Sequence, residues 1–98
     1  MKESEIHQAF CAWLDKNGYG YLHQRTDKRT TSKPGDPDFL VARDGRCIFI
    51  EVKRIGGKRS PAQLKRAKEL EAAGNVVEVA YSLQECREIG RASCRERV

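Results

Sequence analysis

Cys47-Ile48-Phe49-Ile50-Glu51-Val52-Lys53 is the stretch that decides the fold. Strand alternation puts Ile48, Ile50 and Val52 on one face, with Glu51 and Lys53 together on the other. An acid and a base then stand about 6.6–6.8 Å apart along the strand and point the same way. Just upstream, Asp44-Gly45 is a hairpin-turn signal. Residues 38–42 and 46–54 are therefore expected to be two antiparallel strands, about 4.8 Å apart. Asp38 opens the first of them. If the register brings it beside Glu51, the two carboxylates converge on one hard cation, as magnesium requires at about 2.0–2.1 Å. Taken alone, Glu-x-Lys is a common way to balance charge on a solvated sheet face, and it carries little.

Working outward, residues 3–17 read as a helix. Ile6, Phe10, Trp13 and Leu14 recur at helical spacing, and Gly18 follows as a stop. Residues 19–26 read as a strand and 27–36 as a basic loop containing Pro34 and Gly35. Downstream of the hairpin, Ile55-Gly56-Gly57-Lys58-Arg59 is a flexible basic connection. Ser60-Pro61-Ala62-Gln63 then opens a second helix, with serine as N-cap, proline in the first turn and glutamine three after the cap. Leu64, Ala67 and Leu70 share a face of that helix, which ends near Gly74. A strand over 76–81 and a short helix over 83–89 complete the order α-β-β-β-α-β-α. Because a helix separates the last two strands, the final one can join as a parallel neighbour through a right-handed crossover. The expected fold class is α/β, a mixed sheet flanked by helices, in a single domain over 1–89. Residues 90–98 lack periodicity and read as a frayed or extraneous tail.

A chain of 98 residues has room for one domain and a modest core. Hydrophobic residues make up 39% and charged residues 34%, which argues against disorder throughout. No apolar run approaches the roughly 20 residues of a membrane span, and no signal peptide is recognisable. The net charge of +5 favours a polyanionic partner, above all nucleic acid. Cysteines at 11, 47, 86 and 94 show no Cys-x-x-Cys spacing, and His7 and His23 complete no zinc pattern. Cys11 and Cys47 read as small buried hydrophobes, Trp13 as core, and the two histidines as structural or exposed. Reduced thiols in a cytoplasmic compartment are the expectation.

Gly35-Asp36-Pro37-Asp38 gives the Glu-x-Lys strand its meaning, since Gly35 and Pro37 fix a sharp approach to Asp38 at a sheet end. Pro37-Asp38 followed by Glu51-Val52-Lys53 resembles the PD-(D/E)xK nuclease superfamily. More narrowly, the chain resembles the virus-type replication-repair nuclease (VRR-NUC) family. That family has a Gly-x-Pro-Asp motif, a Glu-Val-Lys strand and a following Ser-x-x-Gln, matched here by Gly35 to Asp38, Glu51 to Lys53 and Ser60 to Gln63. The likeness covers roughly residues 1–85.

The resemblance implies a restriction-endonuclease-like fold and a magnesium- or manganese-dependent DNA endonuclease. It also implies a homodimer in a bacterial or phage-infected cell. Asp38, Glu51 and the main-chain carbonyl of Val52 would hold the metal, and Lys53 would act on the attacking water and the phosphate. Gln63 either reaches into the site or closes an ordinary capping box with Ser60. The family's opening helix carries a glutamate, and here Glu3 and Glu5 compete. At 100° per residue, Glu3 falls about 20° from Phe10 on the apolar stripe, whereas Glu5 points to solvent; Glu3 is the choice. Lys28, Arg29, Lys33, Lys58 and Arg59 flank the site on two loops and suit phosphate contacts. With no room for a separate recognition domain, selection of DNA by shape is expected over selection by sequence. An inactive DNA-binding module of the same fold and an RNA-directed nuclease are the alternatives.

Overall fold

The computed structural model describes residues 2–24 and 35–95. The elements are α1 (Glu3–Lys16), β1 (Gly20–His23), β2 (Phe39–Arg43), β3 (Arg46–Val52), α2 (Pro61–Ala72), β4 (Val77–Ala80) and α3 (Leu83–Arg95). The four strands form one sheet in the order β1-β2-β3-β4. The first three are antiparallel neighbours, while β3 and β4 are parallel. This is the expected mixed α/β architecture, in the expected order.

The hairpin turns where its sequence demands. Asp44 and Gly45 have φ of 54° and 77°, the left-handed pair that matches strand twist in a two-residue turn. The turn fixes the register, pairing Val41 with Ile48 and Phe39 with Ile50. These four residues are buried against Ile6, Phe10 and Leu14 of α1 and Cys86 of α3. Ala80 and Val52 close the same core at the end of the sheet. Burying a side chain of this size contributes roughly 1.5–3 kcal/mol.

Helix α2 lies on the opposite face. There Arg66 and Leu70 line a cavity of about 360 Å3 together with Leu22, Leu40 and Phe49. Cys47 shares this thinly covered face and is exposed, which corrects its reading as a buried hydrophobe. The strand parity that buries Ile48 and Ile50 turns Cys47 outward.

The last helix differs from its expected span of 83–89. It continues to Arg95, through the stretch read as a tail from residue 90. Gly90 is buried, with the Phe10 ring 3.9 Å from where a Cβ would stand. Arg91 lies over the Trp13 ring at 5.5 Å. A helix-interior glycine costs only about 1 kcal/mol, which packing against α1 offsets. Among the described residues no helix is long and apolar enough to cross a membrane.

Candidate active site

Asp38 sits immediately before β2, and one step beyond the Phe39–Ile50 pair the register sets it opposite Glu51. Among the described residues these two are the buried charged ones, at 9% and 0% exposure. The approach to Asp38 is built by Gly35, whose φ of +86° belongs to glycine. A Cβ at Gly35 would stand 2.3 Å from the carbonyl oxygen of Ala62, so this backbone lies directly on the start of α2. Asp36 pins the same turn by accepting from Nε of Arg66 at 2.6 Å.

The Asp38 carboxylate accepts from the Val52 main-chain N–H at 2.7 Å. Its pKa is nonetheless pushed up to about 6. Burial is the main cause, and the Val52 N–H opposes it. Among its charged neighbours, the carboxylates of Glu3 and Glu51 raise it and the Lys53 ammonium lowers it. Glu3, Glu51 and Lys53 thus all act on Asp38 at one end of the sheet.

Glu51 would be costly to bury alone. Arg59 holds it with two bonds, Nε to Oε2 at 2.9 Å and a terminal guanidinium nitrogen to Oε1 at 3.2 Å. The partner in turn raises the Arg59 pKa above its ordinary value. Arg59, expected to meet phosphates, therefore spends its charge inward here. Glu3 is half-buried, and its Oε2 lies 3.4 Å from the Arg54 main-chain N–H just after β3. Glu5 instead accepts from the exposed N–H of Lys2 at 2.8 Å, so Glu3 is the helix glutamate that faces the site. Gln63 forms the capping box. Its Oε1 accepts from the Ser60 N–H at 2.8 Å, and its own N–H donates to Ser60 Oγ at 3.1 Å. Lys58 is exposed on the 53–60 connection. Lys28, Arg29 and Lys33 lie outside the described residues.

Two residues that sequence reasoning set aside are at the site. His7 Nε2 lies 3.8 Å from Asp38 Oδ2 and has no hydrogen-bond partner among the described residues, although it is buried. Its Nδ1 is 2.9 Å from His23 Nε2, and His23 Nδ1 is 3.7 Å from Cys11 Sγ. The His23 ring stacks on Phe39 at 4.4 Å, directly beside Asp38. Burial lowers the His7 pKa, against the pull of Glu3, so the ring is neutral near pH 7. The neighbouring carboxylate favours the tautomer with its proton on Nε2. His7 Nδ1 then accepts from His23 Nε2–H, and His23 Nδ1 accepts from the Cys11 thiol. One signal was available, since His7 follows Glu3 by four residues and so shares its helix face.

For a cation, the set comprises the Asp38 and Glu51 carboxylates and the Val52 carbonyl, hard oxygen donors of the kind magnesium and manganese take. Asp38 and Glu51 are both buried at the same sheet end, and the charges of Glu3 and Glu51 add to burial in raising the Asp38 pKa, so a cation between them fits the residues present. Among the described residues no group of three His, Cys, Asp or Glu side chains is arranged to enclose one. Water would complete the shell, as magnesium commonly requires.

A solved VRR_NUC domain superposes on this arrangement with a TM-score of 0.72, over 94% of this chain and 97% of that one. The chain has the VRR_NUC fold. Sequence identity to that domain is 23%, so the likeness lies in the fold. UPF0102 proteins of Thermotoga petrophila, Thermotoga maritima and Thermotoga sp. strain RQ2 are each 37% identical over 75 residues, or 72% of this chain. The chain spans 65% of the length of these relatives. No family model matches the sequence.

Proposed function

We propose that the chain belongs to the VRR-NUC nucleases and is a magnesium- or manganese-dependent DNA endonuclease. The observation that carries this reading is the pair Asp38 and Glu51. Two buried carboxylates stand opposite each other at a sheet end, with Lys53 and Glu3 beside them, on a VRR_NUC fold. Asp38, Glu51 and the Val52 carbonyl would hold the ion, which supplies Lewis acidity toward water and the scissile phosphate.

The chain's own residues account for the remaining work. Asp38 is held in place by the Val52 N–H. Lys53, two residues on from Glu51 and just past the end of β3, directs its ammonium toward the attacking water and the phosphate oxygens, where charge accumulates. Water oxygen forms a bond to phosphorus as the bond to the departing deoxyribose oxygen breaks. The proton lost by the water is balanced by one taken up by the leaving oxygen, which leaves a phosphate monoester and a hydroxyl. Gln63, held in its capping box, supports the α2 start on which Gly35 rests and so acts on Asp38 through the backbone. Lys58, with Lys28, Arg29 and Lys33, tracks phosphates without reading bases, which favours selection of branched, flapped or forked DNA by shape. Two copies cutting opposite strands would form a two-fold dimer.

The Arg59–Glu51 pair favours a second reading, a DNA-binding module of this fold with a silent site. One experiment separates the two. The chain is incubated with linear, flapped, forked and four-way-junction DNA, and with RNA, in magnesium, manganese or chelator. Cleavage of DNA that requires the metal is expected. Lys53→Ala should retain DNA and metal binding while cleaving about 10²–10⁴-fold more slowly. Cleavage in chelator, or a Lys53→Ala rate equal to wild type, rejects the mechanism. Binding of DNA without any cleavage leaves the silent module, and cleavage of RNA alone reassigns the substrate.

A further inference from the structure

We infer that Arg59 is an exchangeable counter-ion, which competes with the divalent ion for Glu51 and is released toward a DNA phosphate when the ion binds. The inference rests on the metal-dependent reading above and deepens it, by making metal and DNA load the site together.

The geometry sets up a competition. Arg59 engages both oxygens of Glu51, at 2.9 and 3.2 Å, in the bidentate form that is the strongest guanidinium–carboxylate contact. Glu51 is wholly enclosed, so a divalent ion must reach a carboxylate already held on both oxygens. A guanidinium and a dication cannot share one buried carboxylate without repulsion, and the low local dielectric magnifies it. One has to leave.

Arg59 is the group that can. It lies in the connection between β3 and α2, which has no helix or strand from Lys53 to Ser60. Arg54, Ile55, Gly56 and Lys58 in that connection are exposed, and Gly56 has a φ of +83°. The Arg59 side chain is already 25% exposed, so swinging outward disrupts neither the sheet nor a helix. Once freed, the guanidinium emerges beside Lys58. A phosphate there offers the same two-oxygen acceptor that Glu51 offered. Metal then binds more readily where DNA can receive Arg59, and by linkage DNA binds more readily when metal is present.

The test is manganese titration by calorimetry into the full chain and into Arg59→Gln, Arg59→Lys and Glu51→Gln. Each titration is done alone and with a duplex, in a Lys53→Ala background that keeps the DNA intact. Without DNA, Arg59→Gln should bind manganese at least ~10-fold more tightly than the parent, because its competitor is gone. Arg59→Lys, a monodentate and more readily hydrated cation, should fall between. DNA should tighten manganese binding ~10-fold in the parent and much less in Arg59→Gln. Arg59→Gln leaves Glu51 enclosed without a partner; where that variant fails to fold without metal, Arg59→Lys carries the comparison. Equal or weaker manganese binding in both Arg59 variants overturns the exchange. No manganese binding in any variant sinks the metal-dependent reading itself. Undiminished binding in Glu51→Gln moves the metal away from Glu51 and takes the exchange with it.

Discussion

Replacing Gly35 with alanine tests whether the Gly35–Asp38 turn is built on the start of α2. Two separate costs follow from the structure. The first is the backbone conformation, since a φ of +86° puts a Cβ in the left-handed region at about 1–2 kcal/mol. The second is space. The new Cβ would lie 2.3 Å from the Ala62 oxygen, 2.4 Å from its carbonyl carbon and 2.8 Å from the Gln63 nitrogen. All three are backbone atoms of a capped helix and cannot rotate away. Relieving contacts that short moves the turn or the helix by more than about 1 Å, against a normal approach of about 3.5 Å. Overpacking of this kind costs about 1–3 kcal/mol. The sum, about 2–5 kcal/mol, corresponds to a fall in Tm of roughly 10–30 °C for a domain of this size. Gly18→Ala is the control, because its φ of +75° imposes similar strain while nothing lies within 4 Å of the added Cβ. Thermal melts by circular dichroism, with and without manganese, are the assay. Gly35→Ala should melt well below Gly18→Ala and should lose most of any manganese-induced rise, because Asp38 moves with the turn. If the two variants melt together, the close approach to α2 is not part of the site's construction.

In chelator, the raised pKa of Asp38 makes stability depend on pH. The folded carboxyl titrates near 6 against an ordinary 3.8, so its contribution is fully present below about 3.8 and is lost as pH rises through 6. Urea melts should show wild type losing on the order of 2–3 kcal/mol relative to Asp38→Asn across that window; parallel pH profiles would contradict the assignment. At His7, leucine removes the nitrogen facing Asp38 and the partner of His23, whereas glutamine retains a donor of similar reach. Calorimetry should find manganese binding weakened about 10-fold or more in His7→Leu and largely kept in His7→Gln; wild-type affinity in His7→Leu would reduce the histidine to a packing residue.

The legible parts of the fold are those in which local chemistry and tertiary packing agree. Asp44-Gly45 can hardly do anything but turn, and the alternation of Ile48, Ile50 and Val52 leaves one face for the core. Together they fix which residue of β2 meets which residue of β3, and so they set Asp38 opposite Glu51. Ser60-Pro61 marks the start of α2 with equal force. The end of α3 was not legible, because a glycine at position 90 carries the same local penalty whether or not Phe10 waits beneath it. Packing decides, and packing is not local. His7 and His23 were missed for a related reason. Each is unremarkable in its own element, and they meet only because β1 pairs with β2 and sets His23 opposite Phe39.

Arg59 was the hardest residue to read, and its charge explains why. Motif and alternation identify the acids of the site, yet they say nothing about how those acids are balanced, which depends on where a loop returns in space. Three carboxylates, Glu3, Asp38 and Glu51, gather at this sheet end with two cationic side chains, Lys53 and Arg59. His7 adds no charge near neutral pH, because burial keeps it deprotonated. The cluster is therefore one negative charge in excess even with Arg59 in place, and the raised pKa of Asp38 reflects that excess together with burial. Withdrawing Arg59 leaves three carboxylates facing one ammonium, a deficit that a single divalent cation cancels. A monovalent ion in place of Arg59 would leave the acids one charge short, and a divalent ion added with Arg59 still in place would overshoot. On this charge count, exchange of one guanidinium for one dication is the substitution that leaves Asp38 and Glu51 both ionised and both balanced, the condition under which two buried carboxylates can serve as ligands.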